Sequence, residues 1–282
     1  MGESAFDGYL DRWREASPQR ALAWMFLDPA ERVRYGALAA MEEEWLKAGR
    51  DVREPQVAAV KLGWWREEAQ HARDGQPRHP LTEVLFADAD IRAIALPYWT
   101  APVDAAILAL TAPPPADFAA QRVVAAPFAE ALAALETRVW FGPGIDSQRA
   151  AEVILLGDIV SRVRALHAEI ERGRPPLPMN LLARHGITLD ALASDGPSRR
   201  AALRDHLGGL EGALARAATM PGPLSLFRAV ASRYDLDAVG RALRADEPLA
   251  ALRTPGHGFG SALKTWRVAR MWRATARSRS RP

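Results

Sequence analysis

Apolar positions recur along most of this chain at three- and four-residue spacing. No run of alternating β-branched residues is long enough to form a strand. Alanine, leucine, arginine and glutamate dominate the periodic stretches, and all four are good helix formers. The pattern predicts a first helix over 18–27. Asp28-Pro29 then supplies a cap and a proline at the first helical position for a helix over 29–48. Glu54-Pro55 opens another, containing Lys61-Leu62-Gly63-Trp64-Trp65-Arg66, and a further helix follows His79-Pro80. The longest apolar region, 93–110, is interrupted by Pro97, Pro102 and Asp104, so no stretch is expected to cross a membrane; a span needs about 20 unbroken apolar residues. Pro113-Pro114-Pro115 reads as a rigid connection. A helix over 128–140 is expected to end at Gly142-Pro143-Gly144.

The best-defined helix is predicted over 146–172. Leu156, Ile159, Val160, Val163, Leu166 and Ile170 form one apolar stripe along it. Gly173 stops it, and Pro175, Pro176 and Pro178 prevent its resumption. Its other face carries Asp158, Arg162, Ala165 and Glu169. Spacing alone describes a solvated face with one Asp158–Arg162 pair, contributing about 0.3 kcal/mol. No internal repeat is evident. These elements describe an all-α single domain over 1–275, followed by a basic disordered tail at 276–282.

Composition narrows the function. The 282 residues are 49% hydrophobic and 25% charged, enough for a sizeable core. The absence of cysteine excludes a disulfide scaffold, a thiolate metal site and a cysteine nucleophile. The amino terminus lacks the basic start and apolar stretch of a signal peptide, so a cytoplasmic location is expected. The net charge is +3, yet seven basic and no acidic residues lie from Lys264 onward. The rest is net acidic, so nucleic acid is not the expected partner. Leu263, Trp266, Met271 and Trp272 lie among Lys264, Arg267, Arg270 and Arg273. Such a segment either packs as a final helix, which is the default reading, or rests on an anionic inner-membrane surface. The six histidines lack metal-ligand spacing, and structural roles are expected for them. No strand precedes Gly256-His257-Gly258-Phe259-Gly260, which argues against a phosphate loop there.

The segment from Arg164-Ala165-Leu166-His167-Ala168-Glu169 to Arg172-Gly173-Arg174 and Leu177-Pro178 resembles the second signature of squalene and phytoene synthases. In that family a helix carries R-D-x-x-x-D and then reaches R-G-R-x-x-L-P. Ala165 stands where the first aspartate belongs, and Glu169 where the second belongs. The upstream signature D-D-x-x-D falls on Leu46, Lys47 and Arg50, none of them a carboxylate. Glu42-Glu43-Glu44 and Asp51 are close but out of register. The resemblance is closest to a branch without aspartate-rich motifs, represented by a mitochondrial assembly factor for respiratory complex I and its bacterial relatives. It rests on Ala37-Leu38-Ala39-Ala40-Met41, on Glu54-Pro55 followed by Val60-Lys61-Leu62-Gly63-Trp64-Trp65-Arg66, on His79-Pro80-Leu81, and on Val163-Arg164-Ala165-Leu166-His167-Ala168. It covers about residues 20–190.

The resemblance implies an isoprenoid-synthase-like helical bundle with a central cavity. It also implies three candidate roles. The first is a catalytically degenerate protein that assists assembly of a membrane respiratory complex, with no cofactor. The second is a Mg²⁺-dependent enzyme condensing prenyl diphosphates. The third is a carrier of an apolar lipid. Mg²⁺ would have to neutralise a departing diphosphate and takes oxygen ligands in octahedral geometry. With one acid left at the signature positions, little ionising activity and no metal site are expected. The ligand-binding candidates are Arg162, Arg164, Glu169, Arg172, Arg174, Trp64 and Trp65. The arginines suit an anionic head group or, alternatively, helix-end carbonyls and surface acids. The tryptophans suit a core or groove wall.

Overall fold

The computed structural model describes residues 5–255 and 259–279. Among these, every regular element is a helix. The first three helices are α1 (Ala5–Glu15), α2 (Pro18–Trp24) and α3 (Pro29–Arg50). The sequence pattern did not anticipate α1. Helix α3 begins as expected. The Asp28 carboxylate accepts from the Glu31 amide at 2.9 Å, and the Asp28 amide donates to the Glu31 carboxylate at 3.0 Å. This reciprocal cap satisfies two otherwise unpaired donors.

Helices α4 (Pro55–Arg73) and α5 (Pro80–Phe86) follow, then the short α6 (Ala89–Arg92) and α7 (Leu96–Ala109). Helix α7 continues through Pro102, and α8 (Phe118–Phe141) continues through Pro127. An internal proline removes one backbone hydrogen bond but does not end a helix that is held on its sides. The start of α8 therefore lies ten residues before the expected one, where the Asp117 carboxylate accepts from the Ala120 amide at 2.8 Å. Its end is where the sequence placed it, at Gly142, whose φ of 88° suits glycine.

By length and composition α8 could cross a membrane, which the sequence reading missed by weighing only 93–110. Here it packs between α7 and α9 (Gln148–Arg164), with Leu132, Leu135 and Trp140 in the core.

The long helix expected over 146–172 is two helices. Helix α9 stops at Arg164, and α10 (Leu166–Glu171) resumes one residue later. Ala165, with φ −85° and ψ 17°, is the joint. The physical reason lies elsewhere in the chain. The Arg253 guanidinium donates to the Arg164 carbonyl at 2.6 Å, and the Arg164 guanidinium donates to the Leu252 carbonyl at 3.2 Å. A side chain inserted at a helix carbonyl is a recognised cause of a break.

The remaining elements are α11 (Met179–Arg184), α12 (Leu189–Ala193), α13 (Pro197–Thr219), α14 (Leu226–Arg244), α15 (Pro248–Arg253) and α16 (Phe259–Arg279). The boundary drawn at 275 thus falls inside α16, and residues 280–282 lie outside the described residues. The same holds for residues 256–258 of the glycine-rich stretch.

The helices close a ring. Helix α3 packs on α4, α4 on α7, α7 on α8, α8 on α9, and α9 on α14. Helix α14 packs on α2, which returns to α3 through α1. Close approach is needed at α3, where a side chain at Gly36 would meet the Trp24 ring of α2 at 2.5 Å. Helix α16 lies outside the ring, on α14 and α2.

Buried Glu68 fixes the connection from α4 to α5. Its carboxylate accepts from the Arg78 amide at 2.9 Å, the His79 amide at 3.1 Å and the Thr82 hydroxyl. Replacement by alanine removes three hydrogen bonds to this buried carboxylate. Glu68→Ala should cost about 3 kcal/mol in urea unfolding, as expected when bonds to a charged group are removed.

Candidate functional site

A cavity of about 540 Å³ opens inside the ring. Its apolar wall includes Leu46 of α3, Phe128 of α8, Val153 and Ile154 of α9, and Phe227 and Val230 of α14. Its polar wall is an array of acids and arginines. Five acids line it: Glu42 and Glu43 on α3, Asp51 just beyond, Asp158 on α9 and Asp235 on α14.

Each acid meets a guanidinium. Glu43 is paired with Arg20 at 2.9 Å, and Asp235 with Arg164 at 2.7 Å. Asp158 is held by Arg50 from the facing helix and by Arg162 at 2.9 Å from its own. Asp51 lies 3.7 Å from Arg172. Glu42 shares Arg228 with Glu136 of α8, which stands 2.9 Å from that guanidinium. The face that spacing described as solvated is therefore largely enclosed: the Asp158 side chain is 15% exposed and that of Glu169 only 3%.

Leu46, Lys47 and Arg50 all line the cavity, so the upstream slots do face inward. Glu42 and Glu43, a turn earlier and out of register with the motif, face inward as well. Glu44 instead pairs with Lys47 at 3.1 Å. Ala165 is the helix joint. Glu169 is buried and lies outside the cavity lining, 3.5 Å from Arg162 and 3.9 Å from Arg172.

Of the arginine candidates, Arg164 alone lines the cavity. Arg174 donates to the Gly49 carbonyl near the end of α3 at 3.1 Å, so it serves a helix end. Gly173, at φ 70°, makes the turn that aims it there. Trp64 and Trp65 are not in the cavity. Trp65 is buried against His79, ring centroids 4.7 Å apart, with Tyr9 on the same imidazole at 4.7 Å. Trp64 packs edge-on to Trp65 and borders a separate shallow groove with Lys47 and Lys61.

Arg228, Asp235 and Glu136 were missed by sequence reasoning. A signal existed for two of them. Asp235 falls among Tyr234, Ala238 and Val239 on the buried face of α14, and Glu136 among Leu132, Leu135 and Val139 of α8. A charge inside an apolar stripe requires a buried partner.

Electrostatics follow from this crowding. Burial raises the pKa of Glu42 above its ordinary 4.5. Arg228 opposes the rise and Glu136 adds to it, because one guanidinium cannot fully compensate two carboxylates. Burial also raises Asp235, against the pull of Arg164. Burial opposes charge on Arg228, but Glu136 and Glu42 together outweigh it and hold that pKa above the usual range. Arg50 is lowered to about 10, chiefly by burial and then by Arg162.

Among the described residues no group of three or more histidine, aspartate or glutamate side chains is arranged to hold a metal. The inward acids are committed to guanidinium groups, and Arg50 places a positive charge at the third upstream slot.

A closed ring of helices around one central cavity defines the isoprenoid-synthase type of bundle. The chain belongs to the squalene/phytoene synthase family, whose profile matches residues 13–248. Among solved structures it is similar to a ligand-bound dehydrosqualene synthase, with a TM-score of 0.67 at 11% identity over 97% of this chain and 96% of that one. It is also similar to the squalene synthase HpnC from Alicyclobacillus acidocaldarius, with a TM-score of 0.59 at 12% identity over 95% of each chain. At such identities the likeness concerns the fold. Comparison with curated protein sequences finds no significant match.

Two outcomes are expected. Arg228→Met leaves Glu42 and Glu136 without a counter-charge and should lower unfolding free energy by about 4 kcal/mol at neutral pH, measured in urea. The second concerns pH. A carboxyl whose folded pKa is raised binds its proton more tightly in the folded state, so its contribution falls as pH rises above its unfolded value. Glu42→Gln removes that titration. The stability of Glu42→Gln relative to wild type should therefore increase between pH 4 and pH 8, and a flat difference would refute the assignment.

Proposed function

We propose that this member of the squalene/phytoene synthase family does not ionise prenyl diphosphates and acts as an accessory factor in assembly of a membrane respiratory complex, complex I. The observation that carries the first half is the Arg50–Asp158 bridge across the cavity. Ionisation of an allylic diphosphate needs divalent cations between acids on facing helices. Here a guanidinium from α3 occupies that relation to the acid on α9. A metal ion entering there would have to displace Arg50 and, from the same carboxylate, Arg162. The assembly role is supported by the likeness of residues 37–44, 54–68 and 163–168 to the branch without aspartate-rich motifs.

One observation favours a second reading. Five carboxylates do line the cavity, so an active Mg²⁺-dependent prenyltransferase would follow if its arginines swung away when substrate entered. Incubation with farnesyl or geranylgeranyl diphosphate plus Mg²⁺ separates the two. No diphosphate release above the uncatalysed background is expected, and release at an enzymatic rate would establish the second reading. In the source organism, deletion of the coding sequence should lower complex I activity severalfold. Unchanged activity would remove the assembly role while leaving the loss of ionisation standing.

A further inference from the structure

Helix α16 has one face built into the bundle and another built for something else. On the inner face, Thr265 and Ala269 are fully buried. The Tyr234 hydroxyl lies 2.8 Å from the Ser261 carbonyl and 3.0 Å from the Thr265 hydroxyl. The Trp272 indole N–H donates to the Leu224 carbonyl at 2.8 Å, and its ring stands edge-on to Trp140. These contacts fix the helix rotationally and so decide what the other face presents.

That outer face combines apolar and cationic groups. Trp266 is 42% exposed and Met271 63%. Met25, 69% exposed, lies at the end of α2, and Arg273 ties α16 to this region by donating to the Phe26 carbonyl. Between them stand exposed Arg267 and Arg270, the latter with its guanidinium 5.4 Å from the centre of the Trp266 ring. Among the described residues the only ion pair that α16 makes is Lys264 with Asp237. The sequence holds no acid from Lys264 onward.

We infer that this face, Trp266, Arg267, Arg270 and Met271 with Met25 beside them, is a docking surface for an anionic lipid bilayer. Arginines meet the head groups, while the indole and the thioethers enter the boundary with the acyl chains. Complementarity decides against other occupants. A second copy of the chain would set this basic face against itself. A nucleic acid would neutralise the arginines but leave the exposed methionines and indole without an apolar partner. The helix lies flat on the bundle, so the contact is peripheral rather than spanning. The inference is independent of whether the cavity retains chemistry.

The full chain can be tested by co-sedimentation with vesicles of phosphatidylcholine alone and of phosphatidylcholine mixed with one-third phosphatidylglycerol. Binding should be at least about tenfold stronger to the anionic vesicles and should weaken with added salt. The substitutions lie at exposed positions, so the fold should survive them, as a circular dichroism melt would check. R267E/R270E should abolish binding to anionic vesicles. W266A/M271A should reduce it about tenfold, because the apolar contribution is lost while the charge stays. Equal binding to both vesicle types, no binding to either, or binding that survives both double variants overturns the inference. So does capture of duplex DNA by the same arginines when vesicles are not bound.

Discussion

The inner surface of the ring must satisfy one constraint above all: a charge taken out of water costs several kcal/mol unless an opposite charge and hydrogen bonds replace the water. This bundle turns carboxylates inward from α3, α8, α9 and α14, and it meets each of those that line the cavity with arginine. The pairs join helices that are distant in sequence. Arg50–Asp158 links α3 to α9, Arg164–Asp235 links α9 to α14, and Arg228 links α14 to both α3 and α8. Long side chains meeting across a gap hold the walls apart where apolar contacts would draw them together. The cavity is thus a consequence of how its charges are paired.

The same pairing governs chemistry. Acids on the facing inner surfaces of two helices are what metal-assisted diphosphate departure would use, and this chain retains several. Their partners make the difference. A guanidinium is planar, permanently charged and attached to the scaffold, so it neutralises a carboxylate without offering an open coordination position. A divalent ion with bound water would offer one. Family membership fixes the architecture; under the proposed reading, activity turns on which cation stands between the acids.

Some helix boundaries were legible in the sequence because caps are local: Asp28 with Glu31 starts α3 over three residues, and Gly142 ends α8 through its own backbone. The family signature was legible at Arg172-Gly173-Arg174 for the same reason, since a turn keeps its pattern. What escaped was decided by distant residues. The break at Ala165 arises from Arg253, which lies 89 positions from Arg164, the residue whose carbonyl it binds. The extension of α8 ahead of Pro127 depends on α7 and α9 holding it. Glu42 and Glu43 appeared out of register because a motif alignment assigns slots by spacing, whereas their orientation is set by how α3 is rotated against α4, α5 and α1.

The sequence by itself determined an all-α chain, several helix boundaries between Pro18 and Gly142, and the family. Those features depend on side-chain identity and on spacing within one or two turns. Only the tertiary structure decided that Arg50 faces Asp158, that Arg228 lies between Glu42 and Glu136, and that the tryptophan pair stands apart from the cavity. Electrostatic partners are chosen by through-space distance inside a low-dielectric interior, and chain separation carries no record of it.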